Sequence, residues 1–147
     1  MIIEVFFVLP VLFPALIVYM VISTRKNDNP ISTIDFLAGI FVVFGTFLNT
    51  WPEVMRMRWK RRSENKGKLY TEGYFAHLRN PNYLGDVIWA TGWAMASSWT
   101  VVWVPIMELC VFVLVYIPEK ESYLAKRYAS EWPTYQAKTF KLIPYVY

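Results

Sequence analysis

The feature that most limits this chain is the stretch from Val87 to Ile117, in which Glu108 is the only charged residue. As one α-helix, at about 1.5 Å per residue, it would overshoot a hydrocarbon core about 30 Å thick. The polar patch Ser97, Ser98, Trp99 and Thr100 supplies a break. The pattern therefore predicts a tight hairpin of two short spans, residues 83–97 and 101–117. Glu108 falls mid-span, where a carboxyl turns toward a partner or cavity. It reads either as a structural residue, protonated or hydrogen-bonded or facing another subunit, or as a functional acid.

Two further apolar blocks precede the hairpin. Residues 5–22 carry no charge and are stopped by Arg25 and Lys26, which predicts a first transmembrane helix. A cleaved signal peptide is the competing reading. Glu4, with no positive charge before the block and no small-residue cleavage site after it, argues against one, and no transit-peptide pattern is present. Residues 34–51 form the second span, with a helix start near Ser32 or Thr33, Asp35 at its entrance, and an end at Trp51 and Pro52. The expected fold is an all-α, polytopic, multi-pass membrane protein of about four transmembrane helices, with residues 1–147 as one membrane domain. Composition agrees: 56% of the 147 residues are hydrophobic, and they fall in blocks. A single cysteine, Cys110, rules out an internal disulfide and suggests packing. One histidine and no metal-ligand constellation argue against a metal centre.

The segment from Glu53 to Leu78 is the most basic, with Arg56, Arg58, Lys60, Arg61, Arg62, Lys66 and Lys68. The positive-inside rule alone places it in the cytoplasm. Binding of anionic membrane lipid is a second explanation, and a clamp for a cofactor's phosphates a third. The tail, residues 118–147, is also basic, and four spans put it on the same side. The two segments are then free to close over the start of the third helix. Within the tail, residues 118–132 predict an amphipathic helix ended by Pro133 and anchored by Tyr123, Tyr128 and Trp132. The closing LIPYVY predicts a segment that docks back. No nucleic-acid module accompanies the positive charge, so no nucleic acid is expected as a partner.

Between the basic loop and the hairpin lies GYFAHLRNPNYLGDVIWATGW, Gly73 to Trp93. Pro81 suits the first turn of a helix, so one begins near Asn80. Its free N–H groups, dipole and Arg79 favour an anion. Asn82 and Asp86, four apart, share a face beside Tyr83.

The run RNPNYLGD resembles the R-H-P-N-Y-(F/L)-G-(D/E) motif of membrane sterol and steroid reductases, the delta-14 sterol reductase and steroid 5-alpha-reductase group. WKRRSENKGKLYTEGYF is similar to their stretch leading into N-K-G-K, and YLAKRYASEWPTYQAKTFKLIPYVY to their closing segment. The resemblance covers roughly Asp35 to Tyr147. Isoprenylcysteine and phospholipid methyltransferases share the R-x-P-x-Y-x-G core and the acid near Glu121. The reductase resemblance implies NADPH held by Lys60, Arg61, Asn65, Lys66, Arg79, Asn80 and Asn82, with an acid near Glu121 and an aromatic near Trp132 or Tyr135 also on the cofactor. Tyr83 or Asp86 would stand on the proton side of hydride transfer to a carbon–carbon double bond of a sterol-like or other lipid substrate. The methyltransferase resemblance implies S-adenosylmethionine instead, with Glu119 or Glu121 on its amino group. Both imply a membrane of endoplasmic-reticulum type, while the residues themselves are equally compatible with an organelle-encoded or bacterial origin.

Three departures open a third reading, a non-catalytic subunit of a larger membrane complex. Asn80 replaces the motif histidine, Lys120 stands where both groups have an acid, and Ala129 replaces the glycine after Tyr128.

Overall fold

The structure is a computed structural model that describes Tyr19, residues 31–97 and residues 99–147. Apart from Tyr19, the expected first span lies outside the described residues. Within them every regular element is helical, as expected for an all-α chain. Helix α1 is Thr33–Lys60, α2 is Pro81–Ala96, α3 is Trp103–Val111, α4 is Ile117–Arg127 and α5 is Trp132–Lys138. Short 3-10 turns occupy Ser63–Asn65, Gly73–Ala76 and Trp99–Val101, and a π-helical turn, Phe112–Tyr116, joins α3 to α4.

Ser32 caps α1 in an extended conformation, and its backbone N–H and hydroxyl both donate to Asp35 Oδ2, at 2.7 and 2.8 Å. The acid at the head of this apolar helix is therefore a capping partner. The helix does not stop at Pro52. That proline is fully buried inside it and α1 runs on to Lys60, so Arg56, Arg58 and Lys60 ride on a helical extension. Basic side chains in a last turn suit the negative end of the helix dipole. At 28 residues, with an 18-residue stretch of mean hydropathy 1.6, α1 is the one described helix long and apolar enough to cross a membrane. Much of its apolar surface is turned outward, at Phe36, Val43, Phe44 and Trp51.

Helix α2 lies antiparallel against α1 on a seam of small residues. A Cβ on Gly45 would sit 2.5 Å from Trp89 N and 2.7 Å from Gly85 O. One on Gly85 would collide with Asn49 N and come within 2.7 Å of Gly45 O. Close approach of two backbones is what glycine permits and dispersion rewards. Beside this contact Asn49 Nδ2 donates to Asp86 Oδ1 at 2.5 Å, so the one acid of α2 is satisfied across the seam.

The rest of the chain folds over the N-terminal end of α2. The π turn ends two residues before Pro118, which lacks an N–H, and Ile117 N–H reaches Phe112 O, five residues back. Helix α4 ends at Arg127, earlier than Pro133 suggested. Pro133 instead lies in the first turn of α5, where a missing N–H costs nothing. Phe140 pairs with the strand-like segment before Pro81: Arg79 N donates to Phe140 O and Phe140 N to His77 O, both at 2.9 Å. Leu142 is fully buried against Phe112 and Ile117, while Tyr145 and Val146 remain exposed, so the tail docks through its first half. Cys110 is exposed and not the packing residue expected of it.

Gly85→Ala is expected to lower the melting temperature of the purified protein by several degrees, because the atoms its methyl meets are backbone and cannot yield; overpacking of this kind costs about 1–3 kcal/mol. Gly39→Ala, which meets nothing within 4 Å, should leave stability unchanged or raise it.

Candidate functional site

Asn80 caps α2 and is 1% exposed. Its amide donates to Lys141 O at 2.8 Å. An asparagine in the place of a histidine thus gains a fixed partner in the tail. Arg79, 5% exposed, is also engaged: Nε donates to Glu121 Oε1 at 2.6 Å, and Nη1 to Gln136 O at 3.0 Å, to Thr139 O at 2.5 Å and to Thr139 Oγ1 at 3.1 Å. The expectation of a guanidinium waiting at the helix N-terminus for an anion is corrected here. The anion it has found is Glu121, and the helix mouth is closed by the tail.

The basic loop meets the same tail. Lys60 Nζ donates to Tyr128 Oη at 3.0 Å and to Lys68 O, and lies 4.9 Å from the Tyr128 ring centre. Burial raises the Tyr128 phenol, but the hydrogen bonds from Lys60 and Arg127 outweigh it and hold the pKa below the ordinary tyrosine value. Leu69 N donates to the Glu131 carboxylate at 3.1 Å. Tyr128, Trp132, Tyr135 and Leu69 form one apolar cluster. Burial pushes the Tyr135 hydroxyl up to about 12, with Arg79 opposing and Glu121 adding. Asn65 is buried and its amide donates to Trp59 O at 2.9 Å, so the asparagine of NKGK satisfies a carbonyl at the end of α1. Gly67 takes the positive φ of that turn, +79°. Arg61 and Lys66 are exposed on the outer surface.

Between loop and tail remains a cavity of about 40 Å³, lined by Arg56, Lys60, Arg79 and Lys120, by Tyr70, Phe75, Tyr128 and Tyr135, and by two leucines. Four cations face it, two of them answered from behind the wall, Arg56 by Glu53 and Arg79 by Glu121. Its size suits a water or two. Of the residues singled out from the sequence, Lys60, Arg79 and Tyr135 meet here, while Asn65, Asn80, Glu121 and Trp132 brace its walls. Arg56, Lys120, Tyr70 and Tyr128 were missed as liners. Arg56 and Lys60 are four apart, which would have flagged one face had α1 been extended through Pro52.

A second polar group lies deeper, on α2. The Tyr83 ring stacks on Phe112 at 4.5 Å and carries Lys120 Nζ 4.8 Å from its centre. Burial pushes Lys120 down to about 8; Glu53 opposes that fall, Arg56 adds to it and Glu121 opposes it. Asp86 is held by Asn49, and Asn82 Oδ1, on the same face, is buried with no hydrogen-bond partner. Lys120 therefore links the two groups, lining the cavity with its charge and covering Tyr83. A larger apolar groove, about 650 Å³, runs along the outer face of α1 past Phe36, Gly39, Val43 and Phe47.

Arg79→Ala leaves the Glu121 carboxylate and two tail carbonyls without their donor, a change that costs about 3–5 kcal/mol at a buried pair. Limited proteolysis should then cut residues 128–141 at least tenfold faster than in the unmodified protein, with α1 and α2 still resistant.

Over 65 residues, 43% of the chain and 23% of the relative, the chain is 42% identical to a probable O-methyltransferase of Ustilaginoidea virens. Over 84 residues, 54% of the chain and 20% of the relative, it is 27% identical to the Delta(14)-sterol reductase of Mus musculus. The matched part thus spans less than a quarter of either relative. No solved structure matches. Residues 1–139 match the family described as protein of unknown function (DUF1295), and the chain belongs to that steroid reductase-like family.

Proposed function

We propose that the chain is a multi-pass membrane enzyme acting on a lipid, and that its reaction is NADPH-dependent reduction of a carbon–carbon double bond in a sterol-like or other lipid enone. The observation that carries this reading is the cavity lined by Arg56, Lys60, Arg79 and Lys120 with no acid among its walls. A phosphate-bearing cofactor matches that charge, whereas S-adenosylmethionine brings a sulfonium and an ammonium. Asn82 adds a second point of fit, since its unpartnered carbonyl oxygen is an acceptor for an amide N–H. The present volume admits only a small group, so binding requires the tail to part from the loop.

When bound, NADPH supplies hydride. The chain's own share is binding, orientation and proton supply. Lys60 and Lys120 hold negative charge, Arg56, paired with Glu53, adds to the wall beside them, and Arg79, fixed by Glu121, keeps the tail over it. Trp132 and Tyr135 wall the site, and Asn65 and Asn80 shape its loop and floor. Tyr83 and Asp86, on the helix face below, stand on the proton side. The apolar faces of α1 and α3 meet the bilayer, from which a lipid substrate reaches them.

A methyltransferase reading is favoured by one observation, the 42% identity over 65 residues to a probable O-methyltransferase. It would use Glu119, which is exposed, more readily than Glu121, which Arg79 occupies. Titration of the purified protein with NADPH and, separately, with S-adenosylmethionine tests both. Saturable NADPH binding is expected, weakened roughly ten- to a hundredfold by Lys60→Ala, the loss of one charge-assisted contact. Saturation by S-adenosylmethionine alone would replace this reading with the methyltransferase one. Binding of neither, with stable co-purification in a large assembly, would make the chain a structural subunit.

A further inference from the structure

Glu108 takes no part in the site described above, yet it is among the most costly residues in the chain to bury. It is 8% exposed, and its Oε2 has no hydrogen-bond partner. Val104 and Phe112, four residues before and after it, are both buried against α2, Val104 with Ala94 and Trp93 and Phe112 on Tyr83. Glu108 therefore shares the face that α3 turns toward α2. Residues 87–117 contain no lysine, arginine or histidine, and the ion pairs of the described residues, Arg56 with Glu53 and Arg79 with Glu121, leave it out. A carboxyl in such surroundings is costly unless a hydrogen-bond partner meets it. A carboxylic acid offers an O–H that needs an acceptor, and leaving it without one costs about 1–3 kcal/mol.

The same helix pair holds other unmet polar atoms. Trp93 Nε1, on the residue that packs beside Val104 one turn from Glu108, and Asn82 Oδ1 are both buried without partners. Around α3 the burial falls away on both sides of Glu108, from half-buried Met107 and Leu109 to exposed Ile106 and Cys110.

We propose that Glu108 is a ligand-binding residue: its carboxylic acid donates a hydrogen bond to the carbonyl or hydroxyl oxygen of an apolar lipid lodged between α2 and α3, and so selects lipids that carry such an oxygen. This rests on the reading of the chain as a lipid-modifying enzyme and names a substrate feature that the cofactor cavity does not address.

Dicyclohexylcarbodiimide reacts from the apolar phase with protonated carboxyls, and peptide mass spectrometry locates the adduct. In the full chain at neutral pH, labelling is expected on Glu108 and should vanish in Glu108→Gln. Cholestenone, an apolar enone, should slow the labelling severalfold, and cholestane, the hydrocarbon without oxygen, should not. Absence of an adduct at Glu108, no protection by cholestenone, or equal protection by cholestane would overturn the proposal. Glu108→Gln should keep the cofactor affinity of the unmodified protein, so the two readings fail separately. A chain that binds neither cofactor but shows cholestenone protection keeps the lipid site and loses the enzyme.

Discussion

The Arg79 guanidinium is the contact on which the arrangement of this protein depends. It sits one residue before the cap of α2, almost without solvent, and four acceptors from the far end of the chain converge on it. The geometry is one that arginine suits and lysine does not, since a planar group with several fixed N–H donors can satisfy a carboxylate and backbone carbonyls together. Because Glu121 belongs to α4 and Thr139 to the segment beyond α5, this one side chain sets where both lie. The cation-lined cavity follows from that placement: α4 carries Lys120 to it, the C-terminal extension of α1 carries Arg56 and Lys60, and the tail closes it with Tyr128 and Tyr135.

Below this polar cap the structure is organised by close approach instead of charge. Gly45 and Gly85 let α1 and α2 meet backbone to backbone, and the Asn49–Asp86 hydrogen bond fixes their register beside the contact. The two levels are joined at Tyr83, which stacks on the π turn through Phe112 and lies under Lys120. The π turn matters here because the extra residue it takes up accommodates Pro118 and lets one continuous helical path run from α3 under the site into α4. A tail that moved would carry Lys120 away from Tyr83, so the cap and the helix face beneath it are mechanically coupled.

The sequence was legible where a local rule decides the outcome. Pro81 begins a helix, Ser32 and Asp35 begin another, and the long apolar run leaves its helix at Ser97, because each rests on residues a few positions apart. It misled where a distant partner overrides the local rule. Pro52 reads as a stop, but its burial within α1 holds the helix through it. Pro133 reads as an end because the pattern before it looks continuous, whereas the chain has already left the helix at Tyr128 and uses the proline to start again. Arg79 reads as an anion receptor because a helix terminus and a guanidinium coincide there, and nothing nearby in sequence reveals that Glu121 and the carbonyls of Gln136 and Thr139 have taken its donors. Asn80 and Lys120, which look like lost function against the family pattern, acquire specific partners, the Lys141 carbonyl and the Tyr83 ring.

On the proposed reading, the basic loop and the tail close together on a phosphate-bearing cofactor. Hydrogen–deuterium exchange of the purified protein with and without saturating NADPH tests this most directly. Slower exchange in residues 61–72 and 117–141 together, with α1 before Pro52 unchanged, is the predicted result. Exchange in those two segments that is unaffected by NADPH, or that slows in only one of them, would contradict it.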